Sequence, residues 1–321
     1  MKHMRKEKGR MIAIAVAIGI ATLSLQGIAR DRTEEKFEKT EALARDGRVF
    51  LSNISGDIEI KSWDKDEVKI EALKTSEASS EAKARENLGQ VTIEVTKEGD
   101  TLRIVTKYPH EGKSWGDNSV NVSVDYKLWI PSKASTEVKS VSGDVALEAI
   151  GGSAKTSAVS GNITLRKAGN GADLNTVSGE IEIKEVAGNA DLKTVSGNIN
   201  ISGIKGSIEA ETVSGGIEMS GVTGASFVNA KTLSGDVGYA GKIEARGTYR
   251  LKSHSGDIRM TLPADSAFEF DAETFSGAID SDFQIEVSGK MSPREVHGVV
   301  NKGGAEIKLS SFSGGIDLKK S

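Results

Sequence analysis

Val177-Ser178-Gly179-Glu180-Ile181 is one statement of a phrase that recurs along the chain. Before it stand Val141-Ser142-Gly143-Asp144-Val145 and Val159-Ser160-Gly161-Asn162-Ile163. After it come Val195-Ser196-Gly197-Asn198-Ile199 and Val213-Ser214-Gly215-Gly216-Ile217. Gly143, Gly161, Gly179, Gly197 and Gly215 are spaced 18 residues apart at every step. A constant step in this range is the signature of a repeat architecture. Looser copies follow at Leu233-Ser234-Gly235, His254-Ser255-Gly256, Phe275-Ser276-Gly277 and Phe312-Ser313-Gly314, and an early one stands at Ile54-Ser55-Gly56.

Each repeat holds two short alternating stretches. In one, Ile181 and Ile183 bracket Glu182; in the other, Ala190, Leu192 and Thr194 share a face opposite Asp191 and Lys193. Alternation with β-branched residues indicates half-buried strands, and each half is too short for a stable helix. Equal units favour stacking in register, with strands of successive coils ~4.8 Å apart and neighbouring coils completing one core. The corner glycines, Gly56, Gly143, Gly161, Gly179, Gly197, Gly215, Gly235, Gly256, Gly277 and Gly314, mark positions of positive φ or close backbone approach. The serine before each is expected to bond corner amides through its hydroxyl. The fold class expected is all-β: a β-solenoid of 18–21-residue coils with one short N-terminal helix. Antiparallel hairpins in a meander are the competing geometry.

Composition agrees with a thin core of small residues: 36 glycines among 321 residues and 5% aromatics. Without cysteine there is no disulfide framework, no thiolate metal site and no Cys nucleophile. Residues 1–29 are expected to be a signal peptide. Lys2, Arg5, Lys6, Lys8 and Arg10 precede the apolar run Met11–Leu23, and Gly27-Ile28-Ala29 suits cleavage. An uncleaved anchor is the alternative. Removing those five basic side chains and Glu7 takes the formal charge from −4 to −8. An acidic chain without a basic stripe argues against nucleic acid as a partner.

Residues 30–46 are expected to be a linker or short surface helix, and 47–131 an entry region of strands with a helix from Ser76 to Leu88, Ser76 capping it. Val91–Val95 and Leu102–Val105 read as a hairpin. Residues 132–321 are the repeat solenoid, with residues 284–304 as an excursion and the aromatics Phe268, Phe270, Phe275, Phe283 and Phe312 as a cap at the last coil.

The serial Val-Ser-Gly phrases resemble the bacterial toastrack, or "putative adhesin", family. So do Ser55-Gly56-Asp57-Ile58-Glu59-Ile60-Lys61-Ser62-Trp63 and Leu128-Trp129-Ile130-Pro131. The resemblance covers roughly residues 47–321. It implies a right-handed β-solenoid-like fold outside the membrane, with no known enzyme activity and no catalytic residues to carry over. The family includes proteins of cell-envelope stress operons.

Candidate sites are few. Asp144, Asn162, Glu180, Asn198, Asp236 and Asp257 form an outward column that could hold Ca²⁺ between coils, but Gly216 and Ala278 interrupt it and a solvated face is the plainer reading. No metal or other cofactor is expected. The irregular loop 108–119 carries His110, Glu111, Trp115 and Asp117. Loops on rigid scaffolds often carry recognition, so His110, Trp115 and Asp117 are the ligand-binding candidates. A polysaccharide-acting enzyme would need a clustered acid–base set, whereas His3, His110, His254 and His297 are scattered. The expected function is an exported, non-enzymatic, adhesin-like binding or scaffold module, periplasmic or at the cell surface. Its partner would be an envelope polymer, peptide or protein. The alternative is an envelope-stress regulatory component that binds a membrane-anchored partner.

Overall fold

The computed structural model describes Ile20–Ala21 and residues 31–109, 120–287 and 292–321. The chain forms two sheets of fourteen strands each, and through the repeats every coil gives one strand to each. In the first sheet Val145, Ile163, Ile181, Ile199, Ile217, Val237, Ile258 and Ile316 pair in one parallel line. In the second, Ala154, Ala172, Ala190, Ile208, Val228, Tyr249 and Ile307 do the same. Both lines are buried and face one another across a single core. The β-solenoid is therefore the architecture. Hairpin pairing is confined to the ends.

Two corners close each coil. At the Ser-Gly corner the backbones of successive coils touch. Gly161 has φ +130°, and a methyl group there would overlap the Gly143 carbonyl oxygen. Equivalent overlaps recur at Gly56, Gly143, Gly179, Gly197, Gly215, Gly235, Gly256, Gly277 and Gly314. The corner amides are not satisfied by the serine hydroxyls. Gly161 N–H donates to the Ser178 carbonyl at 3.0 Å, and Gly179 N–H to that of Ser196 at 3.0 Å. The hydroxyl that matters lies two residues before the serine. Thr176, Thr194 and Thr212 donate to the carbonyls of Gly161, Gly179 and Gly197 at 3.3, 3.1 and 3.1 Å.

The strand leading to the opposite corner, which Gly171 and Gly188 turn in their coils, carries a one-residue bulge. Ala149, Lys167 and Glu185 lie at φ 58°, 68° and 55°, and Gly203 and Gly221 continue the position at 67° and 62°. The bulge changes the inward spacing from two residues to three. After Ile181 and Ile183, Val186 also points inward, as do Ile150, Ala168, Ile204 and Val222 in their coils.

Chain order and stacking order differ at both ends. At the entry end, the coil with strands Arg48–Ser55 and Ile58–Trp63 lies between two later coils. One uses Thr101–Lys107 and Val122–Pro131, the other Ser135–Ser142 and Val145–Ile150. At the far end, the last coil in sequence, Ala305–Ser313 and Ile316–Lys320, is also intercalated. It sits between Thr248–Ser255 with Ile258–Leu262 and Phe268–Thr274 with Ile279–Ser281. The aromatic residues therefore do not form one cap on the last coil. Phe268 contacts Phe270 and Phe283 edge-on at 6.2 and 5.4 Å inside the far end, while Phe275 and Phe312 are exposed. The excursion after residue 284 returns as Glu295–Val300, antiparallel to Phe268–Thr274.

The entry region departs from expectation in two places. Asp31–Ala42 is a 12-residue strand, not a linker or helix, antiparallel to Glu67–Ala78 along its whole length. The helix is Glu81–Gln90, with Ser80 as its N-cap; Ser76 lies in the preceding strand. Its C-terminal end is held by Lys74, whose Nζ donates to the carbonyls of Leu88 and Val91 at 3.1 and 3.0 Å and pairs with Glu35 at 2.8 Å. A cation there offsets the carbonyl end of the helix dipole. Among the described residues, no helix is long and apolar enough to cross a membrane.

Candidate functional site

The ligand-binding candidates His110, Trp115 and Asp117 lie outside the described residues; the strands that carry their loop do not. The loop leaves Thr101–Lys107 and rejoins the sheet at Val122–Pro131. It thus takes the place of a Ser-Gly corner in the outermost coil of the entry end. Its base is pinned where Tyr108 Oη donates to the Val122 carbonyl at 3.0 Å. Burial pushes the Tyr108 phenol up to about 12, so it keeps its proton and remains a donor at neutral pH. Beneath it, Tyr126 Oη and Thr106 Oγ1 meet at 2.6 Å, and burial raises the Tyr126 phenol as well.

Beside this loop base is a depression of about 670 Å³ on the outer face of the first sheet. Leu73 and Ala146 give it apolar surface, and Asp57, Asp125, Asp144, Glu59 and Lys127 give it charge. Glu59 lies 2.7 Å from Lys61 and 3.9 Å from Lys127. The hydrogen bond from Lys61 holds the Glu59 carboxyl below the usual carboxylate range, against a smaller opposing effect of burial.

The three aspartates are only half committed. Asp57 N–H donates to Asp125 Oδ1 at 2.9 Å, and Asp144 N–H to Asp57 Oδ1 at 2.9 Å. The pattern continues up the corner. Asn162 N–H donates to Asp144 Oδ1 at 2.8 Å, Glu180 N–H to Asn162 Oδ1 at 2.9 Å, and Gly216 N–H to Asn198 Oδ1 at 2.9 Å. Higher still, Asp257 N–H donates to Asp236 Oδ1 and Gly315 N–H to Asp257 Oδ1, at 2.8 and 2.7 Å. The column is a solvated face, its six residues all exposed, and it is also a side-chain-to-backbone ladder joining successive coils. It lapses where geometry fails. Glu180 is one methylene longer and bonds Asn200 instead, and Gly216 has no side chain to offer. Among the described residues, no group of three His, Asp or Glu is placed to hold a metal ion.

One surface feature was not anticipated. The residue before each Ser-Gly is exposed, forming a column of Ile54, Val141, Val159, Val177, Val195, Val213, Leu233, His254, Phe312 and Phe275 in stacking order. At its far end the His254, Phe312 and Phe275 rings stack face to face, with centroids 4.8 Å apart at each step. The signal was present as parity. With Leu192 and Thr194 pointing inward, Val195 must point out.

Comparisons with known proteins follow the fold. A "putative adhesin" of Bacteroides fragilis is similar at 13% identity, over 89% of this chain and 97% of that one, with a TM-score of 0.39. A "putative adhesin" of Parabacteroides distasonis matches at 12% identity, over 88% and 97%, with a TM-score of 0.35. A "putative lipid binding protein" of the same organism matches at 9% identity, over 88% and 97%, with a TM-score of 0.34. No curated protein matches the sequence. The profile of the Toastrack family, DUF4097, matches residues 48–319, nearly the whole two-sheet stack, and the chain belongs to that family.

Proposed function

We propose that the protein is an exported, non-enzymatic, adhesin-like binding or scaffold module of the cell envelope, taking its ligand at the entry corner. The observation that carries this reading is the 670 Å³ depression, which opens beside the base of loop 110–119 at the end of a continuous stack. Its chemistry suits a polymer or peptide bearing hydroxyl and amino groups. Asp57, Asp125 and Asp144 each have one carboxylate oxygen engaged by a backbone N–H, and the other is free to accept. Trp115, on the adjoining loop, would supply an aromatic face for a sugar ring or an apolar side chain.

The test is binding to peptidoglycan, glycan arrays and envelope peptides by wild type, Trp115→Ala and Ala146→Arg. Ala146 is exposed and lines the depression, so the arginine would fill the site without entering the core. Each variant should lose tenfold or more in affinity, about 1.4 kcal/mol. Undiminished binding by both would overturn the assignment.

A further inference from the structure

Among the described residues, every large exposed apolar side chain except Val287 belongs to the column that begins at Ile54 and ends at Phe275. Its members are 44–64% exposed, the His254 position aside. Nine apolar side chains exposed to this degree in one unbroken line are far more than the scattered single hydrophobics of an ordinary surface. A contiguous apolar stripe of this kind marks an interaction site.

The polar residues beside the column say what fits it. Each coil has one flanking position two residues before the column residue and another three residues after it. Where the first is lysine, the second is acidic or a neutral amide on the same coil: Lys139 with Asp144, Lys231 with Asp236, Lys252 with Asp257, and Lys193 with Asn198. Where the first is acidic, the second has no charge: Glu211 with Gly216, and Glu273 with Ala278. All four lysines are exposed, and three of them line the shallow groove along the column beside Val213 and Leu233. Lys139 and Lys231 pair in their own chain with half-buried glutamates, Glu137 at 3.9 Å and Glu211 at 3.2 Å, and Lys139 also lies over the Phe50 ring at 5.5 Å.

This arrangement is self-complementary under one symmetry operation. A two-fold axis parallel to the stack turns the lysine flank of one copy toward the acidic flank of another and keeps each coil opposite itself. Every Lys then meets Asp or Asn, and no like charges meet. A two-fold axis across the stack would reverse the coil order and set like flank against like flank, so Asp144, Asp236 and Asp257 would face only acidic or uncharged positions. Farther from the column the match lapses, since Arg250 and Arg259 share a coil, so the complementarity is confined to the positions a facing copy would touch. A lipid surface fits less well, because anionic headgroups would lie against the acidic flank.

We propose that the column is the interface of a homodimer in which two solenoids lie side by side, parallel and in register, related by a two-fold axis along the stack. Closed symmetry of this kind buries the column on both copies at once. The proposal goes beyond the ligand reading and does not depend on it.

The test is the self-association of the full chain, measured by sedimentation equilibrium from low to high micromolar concentration. The wild type should form a dimer, weakened by added salt. Val159→Lys/Val195→Lys should be monomeric with an unchanged far-ultraviolet circular dichroism spectrum, since both valines face solvent, and should melt below the wild type only at concentrations where the wild type is dimeric. Lys139→Glu/Lys231→Glu/Lys252→Glu should weaken association about tenfold or more. Because the chain has no cysteine, single cysteines report orientation. Val141→Cys, near one end, should cross-link to itself as readily as Val195→Cys in the middle. A wild type monomeric throughout would overturn the proposal, and so would cross-linking at 195 without cross-linking at 141. Vesicle binding lost in Val159→Lys/Val195→Lys without any dimer would assign the column to lipid instead. Trp115→Ala should leave the dimer intact, which separates this outcome from that of the ligand test.

Discussion

Gly197 and Gly203 sit six residues apart in one coil, both at positive φ, 153° and 67°, yet they should respond differently to the same substitution. A methyl group on Gly197 would overlap the Gly179 carbonyl, whereas on Gly203 its nearest neighbour is 3.5 Å away. Lys167 and Glu185 already occupy the Gly203 position in other coils. Gly203→Ala should therefore cost about 1 kcal/mol, the usual charge for a left-handed L-residue. Gly197→Ala should cost more than 3 kcal/mol, because backbone must move in two coils at once. Chemical denaturation of the two variants measures both, and equal effects would refute the close-approach account. At this scale the corner glycines were legible because they recur in a constant frame. The bulge was not, since Ala149, Lys167 and Glu185 share no chemistry that would announce a left-handed residue. The threonine column was half legible. Its inward face follows from alternation, but its bond to a carbonyl one coil away does not.

A strand or a corner is the scale at which the Asp/Asn ladder acts. Each rung satisfies one backbone N–H of the next coil, and a neutral hydrogen bond contributes about 1 kcal/mol net. Gly216 leaves one rung empty, while Asp236 N–H stands beside it and a Cβ at 216 would meet nothing closer than 3.4 Å. Gly216→Asn should fill the rung and raise stability by about 1 kcal/mol over Gly216→Ala. That control removes the same backbone freedom without supplying an acceptor. Thermal melts of the pair decide it, and equal melting temperatures would mean the ladder adds nothing. Elements that the sequence misrepresents are those whose partners lie far off. Asp31–Ala42 is so rich in Glu and Lys that it reads as a surface helix or linker, but Glu67–Ala78 pairs with it residue for residue. Charge on a border strand also discourages pairing with other chains. The helix slipped by one turn for a related reason: Ser76 suits a cap, but its strand is still paired with Val122.

Across the whole molecule, translation by 18 residues predicted the order of the middle coils and failed at both ends. The phrase at Phe312-Ser313-Gly314 is last in the chain and one coil from last in the stack. Nothing in local pattern distinguishes an end coil from an inserted one, because both carry the same words. The consequence can be tested by truncation. Deleting residues 302–321 removes a coil from the interior, leaving Thr248–Ser255 and Phe268–Thr274 without their shared neighbour. The melting temperature should fall, and limited proteolysis should cut between residues 263 and 301. An unchanged melt and protease pattern would show that the two coils can close over the gap.

That insertion also governs how the protein would bear load. A tug on the C-terminus cannot peel away the outermost turn, as it could in a stack laid down in chain order. It must drag a strand pair out from between two others, shearing hydrogen bonds on both sides at the same time. The entry end has the same arrangement, with residues 48–63 gripped from above and below. The chain reaches those residues only through the border strand Asp31–Ala42, so the C-terminal extremity is clamped on both sides while the N-terminal one can peel from the edge.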